Sequence, residues 1–254
     1  MEKFIRTNKS TTQTMSKTSN PKEARVVIIL GGKGGIGKTL LAATLADFYT
    51  EQKVHYIAID ADTENNKHGS LAHLIGCPKL DIRGKVGLDA LIDYALSGPD
   101  LVLVDFGAGT VSELAKWIGQ VGQALAQENV SLTIAAMITS ELATVDATLR
   151  CAEQVTDKAV YVLVENPVKG EVTDSVNNPQ LQQFIKVAEP AQIKLELLRS
   201  DIALELDRVG QSPRGAQKEP ASDLLKTASV RVRLNAWRSE IDNQLSQTTA
   251  LLPL

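Results

Sequence analysis

From residue 25 onward, apolar positions follow two alternating patterns. Short continuous runs rich in Val, Ile and Leu occur at 26–30, 55–60, 101–105, 132–138, 159–164 and 193–197. Between them, apolar residues recur at helical spacing near 40–52, 88–96, 111–127, 142–155 and 179–187. Brief β-branched runs without polar alternation are strands buried on both faces, which happens when helices cover both sides of a parallel sheet. The expected fold class is therefore α/β: a mostly parallel β-sheet flanked by helices on both faces. Such sheets take ligands at the carboxyl ends of their strands.

Outside this pattern, residues 1–24 are rich in Ser, Thr, Asn and Lys and offer little to bury. Lys3, Arg6, Lys9, Lys17 and Lys22 outweigh Glu2 and Glu23 there, a net of +3. The segment reads as a disordered basic tail, either solvated or in weak contact with nucleic acid or acidic lipid. Residues 25–254 read as a single domain without internal repeats. Within it, 210–220 (GQSPRGAQKEP) reads as a polar connector. Residues 221–245 then read as a terminal helix, with Leu234, Trp237, Ile241 and Leu245 at helical spacing. That helix either packs on the sheet or presents Arg231, Arg233 and Arg238 to a partner such as DNA.

Composition narrows the class. With 254 residues, 43% of them hydrophobic, the chain can bury one large core. A net charge of −3 gives no global case for nucleic-acid binding. Cys77 and Cys151 are far apart and form no C-x-x-C pair, which argues against a disulfide framework or a zinc site. No apolar run approaches the roughly 20 residues of a transmembrane segment. The N-terminus has no apolar signal core, so a cytoplasmic protein is expected.

Residues 32–39 (GKGGIGKT) carry the chemistry. They match G-x-x-x-x-G-K-[ST], follow the first strand directly and precede a helix, the context of a phosphate-binding loop. Gly34, Gly35 and Gly37 let the backbone wrap a phosphate with its N–H groups inward, above a helix N-terminus. Lys38 is expected at the β- and γ-phosphates, and the Thr39 hydroxyl on Mg²⁺. Asp105, at the tip of the run 101–105, has the place of the carboxylate that holds Mg²⁺ or its water. Asp60 and Asp62 close the second strand; two acids near a triphosphate repel it unless a cation intervenes, which again argues for Mg²⁺.

The second lysine, Lys33, sharpens this reading. Residues 33–39 (KGGIGKT) resemble the deviant Walker A motif of the ParA/MinD family of nucleotide-switch ATPases. The resemblance extends over about 25–208. It implies an ATP-bound homodimer in which Lys33 reaches the partner's nucleotide. On a blander reading, Lys33 only adds charge to a loop in solvent. By position, the resemblance makes Lys33, Lys38 and Asp62 catalytic, with Asp62 positioning the attacking water. It places Gly34, Gly35, Ile36, Gly37, Lys38, Thr39, Leu40 and Asn166 on the nucleotide, Asn166 at adenine, and Thr39, Asp60 and Asp105 around Mg²⁺. Gly107 and Gly109 are expected to give a flexible turn, which resembles the family's γ-phosphate-sensing switch, a turn that often holds prolines there. Residues 63–66 (TENN) replace the common Pro-Gln continuation.

The resemblance implies a slow Mg²⁺-ATP-dependent dimerising switch that positions DNA or a protein complex, of the plasmid partition, stability or conjugal-transfer type. Its partner is then non-specific DNA or a DNA-bound adaptor protein. A nucleotide-binding scaffold without turnover is the alternative, as is a small-molecule ligase or kinase on the same fold.

Overall fold

The computed structural model describes residues 23–63 and 68–254. The expected tail lies outside these residues apart from Glu23 and Ala24, and Ala24 already belongs to the first strand. The strands are β1 (Ala24–Leu30), β2 (Tyr56–Ala61), β3 (Leu101–Phe106), β4 (Val130–Ile138), β5 (Val160–Glu165) and β6 (Ala191–Lys194). The helices up to β6 are α1 (Lys38–Glu51), α2 (Leu71–Ile75), α3 (Ala90–Leu96), α4 (Val111–Gln127), α5 (Leu142–Val155), α6 (Thr173–Val176) and α7 (Pro179–Ala188). After β6 come α8 (Ser200–Val209), α9 (Pro213–Lys218), α10 (Asp223–Lys226) and α11 (Ala228–Gln247).

The strands lie in the order β2-β3-β1-β4-β5-β6 and every pairing is parallel. Because side chains alternate along a strand, β1 feeds two cores. Val27 and Ile29 pack with α1, α8 and α11 on one face. Val26, Ile28 and Leu30 pack with α3, α4 and α5 on the other. β1 is central, paired with β3 on one side and β4 on the other, and the chain builds β2 and β3 on the first side before crossing to β4 on the second. The crevice at its carboxyl end is the place where such sheets hold ligands. Register brings the acids to that edge: Asp60 lies opposite Asp105, and Asp105 opposite Ile29.

The expected strands and the five expected helices are present, but the C-terminal third differs from expectation. Residues 210–220 are not a plain connector. They contain α9, capped by Ser212, whose Oγ accepts from Gly215 N, and Pro213 and Ala216 are buried. Asp47, buried on α1, accepts from Ser212 Oγ at 2.8 Å and from Arg214 N at 2.8 Å. Ser212 thus serves a buried carboxylate, while Lys218 and Glu219 remain exposed. The expected helix at 221–245 is two helices, because Thr227 takes an extended conformation between α10 and α11. β6 ends at Lys194, short of the expected residue 197, although Leu195 N still donates to Glu165 O at 2.8 Å. Neither α2 nor α8 was expected.

Arg238 requires a further correction. It is buried, donating to Gln217 Oε1 at 2.7 Å and to Glu51 Oε2 and Asp242 Oδ2 at 3.0 Å each. Glu51 also pairs with Arg214. A guanidinium committed to this network, which joins α1, α9 and α11, is withheld from DNA phosphates; Arg231 and Arg233 remain exposed. The chain end is pinned as well: Tyr49 Oη donates to Leu251 O at 2.7 Å, Thr133 Oγ1 to Ala250 O at 2.8 Å and Arg25 Nη1 to Leu252 O at 2.8 Å.

Removing a buried cation leaves its carboxylate partners uncompensated, which costs about 3 kcal/mol. Arg238→Ala is therefore expected to lower unfolding free energy by about that amount in urea titrations, whereas Arg231→Ala stays within ~0.5 kcal/mol of the parent. Equal, small effects for the two variants would contradict the buried network.

Candidate functional site

The loop between β1 and α1 is shaped by its glycines, each for a different reason. Gly35 and Gly37 have φ of +69° and +90°, in the left-handed region where a Cβ is strained. A Cβ on Gly37 would lie 2.5 Å from Asn166 Nδ2, and one on Gly32 would lie 2.6 Å from Ala147 Cβ on α5. A Cβ on Gly34 would meet nothing within 4 Å, so that side of the loop is open. Gly37 gives α1 no side-chain cap. The N–H groups of its first turn, with their partial positive charge, thus remain directed at the loop's interior.

Polar contacts fix the loop from both sides. Lys38 is buried and its Nζ donates to the Lys33 carbonyl at 2.8 Å, while the Lys33 side chain is exposed. Thr39 Oγ1 donates to the Gly69 carbonyl at 3.3 Å. Asn166, just beyond β5, donates Nδ2 to the Ile36 carbonyl at 2.9 Å and accepts from Val168 N at 3.3 Å. Its amide thus clamps the loop, a contact that the expectation of adenine recognition did not include. Ile36 is buried beneath the loop, and half-buried Leu40 lines a cleft of about 50 Å³ with Gly37, Asn166, Val168 and Trp237.

Three buried acids share the neighbouring strand ends: Asp60, Asp62 and Asp105. Asp60 is committed to the protein. Its Oδ1 accepts from Asp62 N at 3.0 Å, its Oδ2 from Ala72 N at 3.0 Å, and Lys79 Nζ lies 3.5 Å away. Those contacts hold Asp60 at the strand edge, level with Asp105. Asp62 packs on the turn after β3, where a Cβ on Gly107 would come within 2.9 Å of its Oδ1. Gly107 is therefore required by close approach. Thr110 Oγ1 donates to the Gly107 carbonyl at 2.8 Å, so the turn expected to be flexible is tied. Of the unusual stretch 63–66, residues 64–66 lie outside the described residues.

Asp105 is different. Neither of its buried carboxylate oxygens has a well-formed hydrogen bond. Burial pushes this carboxyl up to about 7; the Thr39 hydroxyl and Lys38 pull it down, and Asp60 and Asp62 push it further up. A buried carboxylate without a well-formed hydrogen bond, beside a hydroxyl and under a phosphate loop, fits a hard divalent cation, which takes oxygen ligands. Thr39 and Asp105 are the residues suited to hold Mg²⁺. The structure thus gathers Lys38, Thr39, Asp60, Asp62, Asp105 and Asn166 around one crevice. Sequence reasoning missed three neighbours: Lys79, the Gly69 carbonyl, and Lys169, whose Nζ would lie 3.8 Å from a Cβ on Gly35. Backbone groups and lone lysines carry no motif. A groove of about 960 Å³ between α5 and α7 shares no residue with this crevice.

Similarity to known proteins agrees with this geometry. A model of the CobQ/CobB/MinD/ParA nucleotide binding domain matches residues 27–207. The chain belongs to that family and has its ParA/MinD-type P-loop fold. Protein TraL from Escherichia coli is 24% identical over 254 residues, spanning 90% of this chain and 100% of that protein. A second Protein TraL from Escherichia coli is 26% identical over 164 residues, covering 59% of this chain and 66% of its own. Among solved structures, the MinD cell division protein of Aquifex aeolicus aligns over 84% of this chain and 97% of its own, with 20% identity and a TM-score of 0.47. A nucleotide-binding protein in complex with ADP from Archaeoglobus fulgidus covers 81% and 92%, also at 20% and 0.47. Among the described residues, no helix is long and apolar enough to cross a membrane.

The raised Asp105 value makes a pH prediction. Unfolded, this carboxyl ionises near 3.8; folded, it keeps its proton up to about 7. Stability contributed by the neutral form is therefore lost as pH rises from about 4 to about 7. In metal-free buffer, Asp105→Asn is expected to gain stability relative to the parent across that interval, read as urea midpoints at pH 5 and pH 8. A constant difference would show that Asp105 does not carry this strain.

Proposed function

We propose that the chain is a Mg²⁺-ATP-dependent dimerising switch with slow hydrolysis, resetting an assembly that positions DNA or a protein complex. The observation that carries this reading is the buried Asp105 carboxylate, without a well-formed hydrogen bond and beside Thr39, at the mouth of a glycine cradle containing Lys38. Nucleotide phosphates enter between the loop's N–H groups. Lys38 then exchanges the Lys33 carbonyl for the β- and γ-phosphates, and Thr39 exchanges the Gly69 carbonyl for the metal. Thr39 and Asp105 would hold Mg²⁺, which would supply neutralising charge to the phosphate oxygens. Asp60, held by Lys79 and two backbone N–H groups, supports Thr39 and Asp105 from behind. Asp62, packed against Gly107, positions the attacking water. Asn166 retains one N–H for the adenine edge while its other donor holds Ile36.

Dimerisation rests on Lys33. Its side chain is exposed beside the open face of Gly34. On that face a lysine meets the partner's phosphates, in an interface with little competing water. Plasmid partition, plasmid stability or conjugal transfer is the proposed setting, in the cytoplasm. Arg231 and Arg233, without Arg238, form the proposed contact for DNA or a DNA-bound adaptor protein.

Two lysine variants separate the roles. Lys38→Ala loses a charge-assisted contact of about 1.5–3 kcal/mol, which corresponds to a roughly 10- to 100-fold weaker affinity for an ATP analogue in calorimetry. Lys33→Ala keeps monomer affinity within a few-fold of the parent but no longer sediments as a dimer with a non-hydrolysable analogue. A Lys33→Ala protein that dimerises normally would remove the basis for action in trans.

A further inference from the structure

Beside the nucleotide crevice, His68 and His73 approach Asp207 of α8. The two imidazole centroids are 5.1 Å apart at 76°. One ligand atom from each of the three residues lies within 4.8 Å of the other two. His73 Nε2 meets the Asp207 carbonyl at 2.7 Å. A carbonyl only accepts, so Nε2 carries the proton and the lone pair sits on Nδ1. An imidazole anchored to a backbone carbonyl through its second nitrogen is how proteins orient metal-ligating histidines. Asp207 is oriented too, because its Oδ1 accepts from Gly69 N, leaving Oδ2 for another partner. Gly210, with φ of +65°, closes over the ring; a Cβ there would lie 2.9 Å from His73 Cε1.

We propose that His68, His73 and Asp207 form a binding site for a transition-metal cation of the Zn²⁺ type, completed by water. Two imidazoles and one carboxylate are the donor set that such ions take. Tetrahedral ligands about 2.1 Å from zinc lie about 3.4 Å apart. The cluster therefore has to contract slightly, and exposed His68 is free of the packing that holds His73. The site also touches the switch. Gly69, between His68 and Ser70, donates its N–H to Asp207 while its carbonyl accepts the Thr39 hydroxyl. A cation joining His68 and His73 to α8 holds that carbonyl on Thr39, in competition with Mg²⁺. This second step rests on the nucleotide reading above; the metal site itself does not.

The test uses the full chain without an affinity tag or nucleotide. Titration with Co²⁺ is expected to give one saturable equivalent with visible d–d absorption, displaced by Zn²⁺, and His68→Ala and Asp207→Asn should each weaken it at least tenfold. His68 is exposed, so its loss spares the fold. Absence of saturable binding, or unchanged binding in both variants, would overturn the site. With one equivalent of Zn²⁺, the parent's affinity for a Mg²⁺-ATP analogue should fall several-fold more than that of His68→Ala, which controls for chelation by the nucleotide. Equal changes would overturn the coupling alone. If neither protein bound nucleotide, the switch reading would fail while the Co²⁺ titration still decided the metal site.

Discussion

One carboxamide joins the two halves of the crevice. Asn166 Nδ2 donates to the Ile36 carbonyl, linking segments 130 residues apart in the chain. That contact satisfies the Ile36 carbonyl. Left unpaired in a buried setting, such a group costs about 1–3 kcal/mol. The clamp needs close approach, which only glycine permits at position 37, and Gly37 is also the left-handed residue that turns the chain into α1. Loop shape, helix start and the end of β5 are therefore fixed together. Lys38 and Thr39 take their positions from that turn.

The crowded acids impose the second constraint. Parallel register brings Asp60 level with Asp105, and Asp62 follows within two residues. Such a group of buried carboxylates is costly unless each has a different answer. Asp60 has backbone donors and Lys79, and Asp62 lies against the Gly107 turn. Only Asp105 keeps buried oxygens without well-formed bonds, and its raised pKa reflects that. Among these three acids, the unmet electrostatic demand falls on Asp105, which interacts with Thr39 and Lys38 of the phosphate loop. In the proposed function, a metal-bound triphosphate would meet the same demand from outside. Lys38 and Thr39 meanwhile rest on carbonyl groups, contacts that a phosphate and a cation can replace at little cost.

Much of the frame was legible in the sequence because it rests on local patterns. β1 and β3 are continuous apolar runs, and the loop, Asp60, Asp62 and Asp105 sit at strand ends that such runs define. The tertiary partners were not legible. Arg238 falls next to the apolar stripe of α11, and no periodicity reveals that Glu51, Gln217 and Asp242 converge on it. Ser212 serves Asp47, a buried partner 165 residues away in the chain. The expected flexible turn at Gly107 is tied by Thr110, since glycine there answers a steric need. His68, His73 and Asp207 come together only when α8, which the sequence pattern did not reveal, folds against the segment after β2.

The account stands on the claim that this crevice receives a Mg²⁺-bound nucleoside triphosphate by exchanging its internal contacts. Hydrogen–deuterium exchange with and without a Mg²⁺-ATP analogue tests that most directly. Slowed exchange is predicted at 34–40, where amides take phosphate oxygens, and at 105–110, where the turn after β3 meets the metal edge. Segment 68–72 should exchange faster, because it loses the tether from the Thr39 hydroxyl to the Gly69 carbonyl. Unchanged exchange in all three segments at saturating analogue would contradict the account.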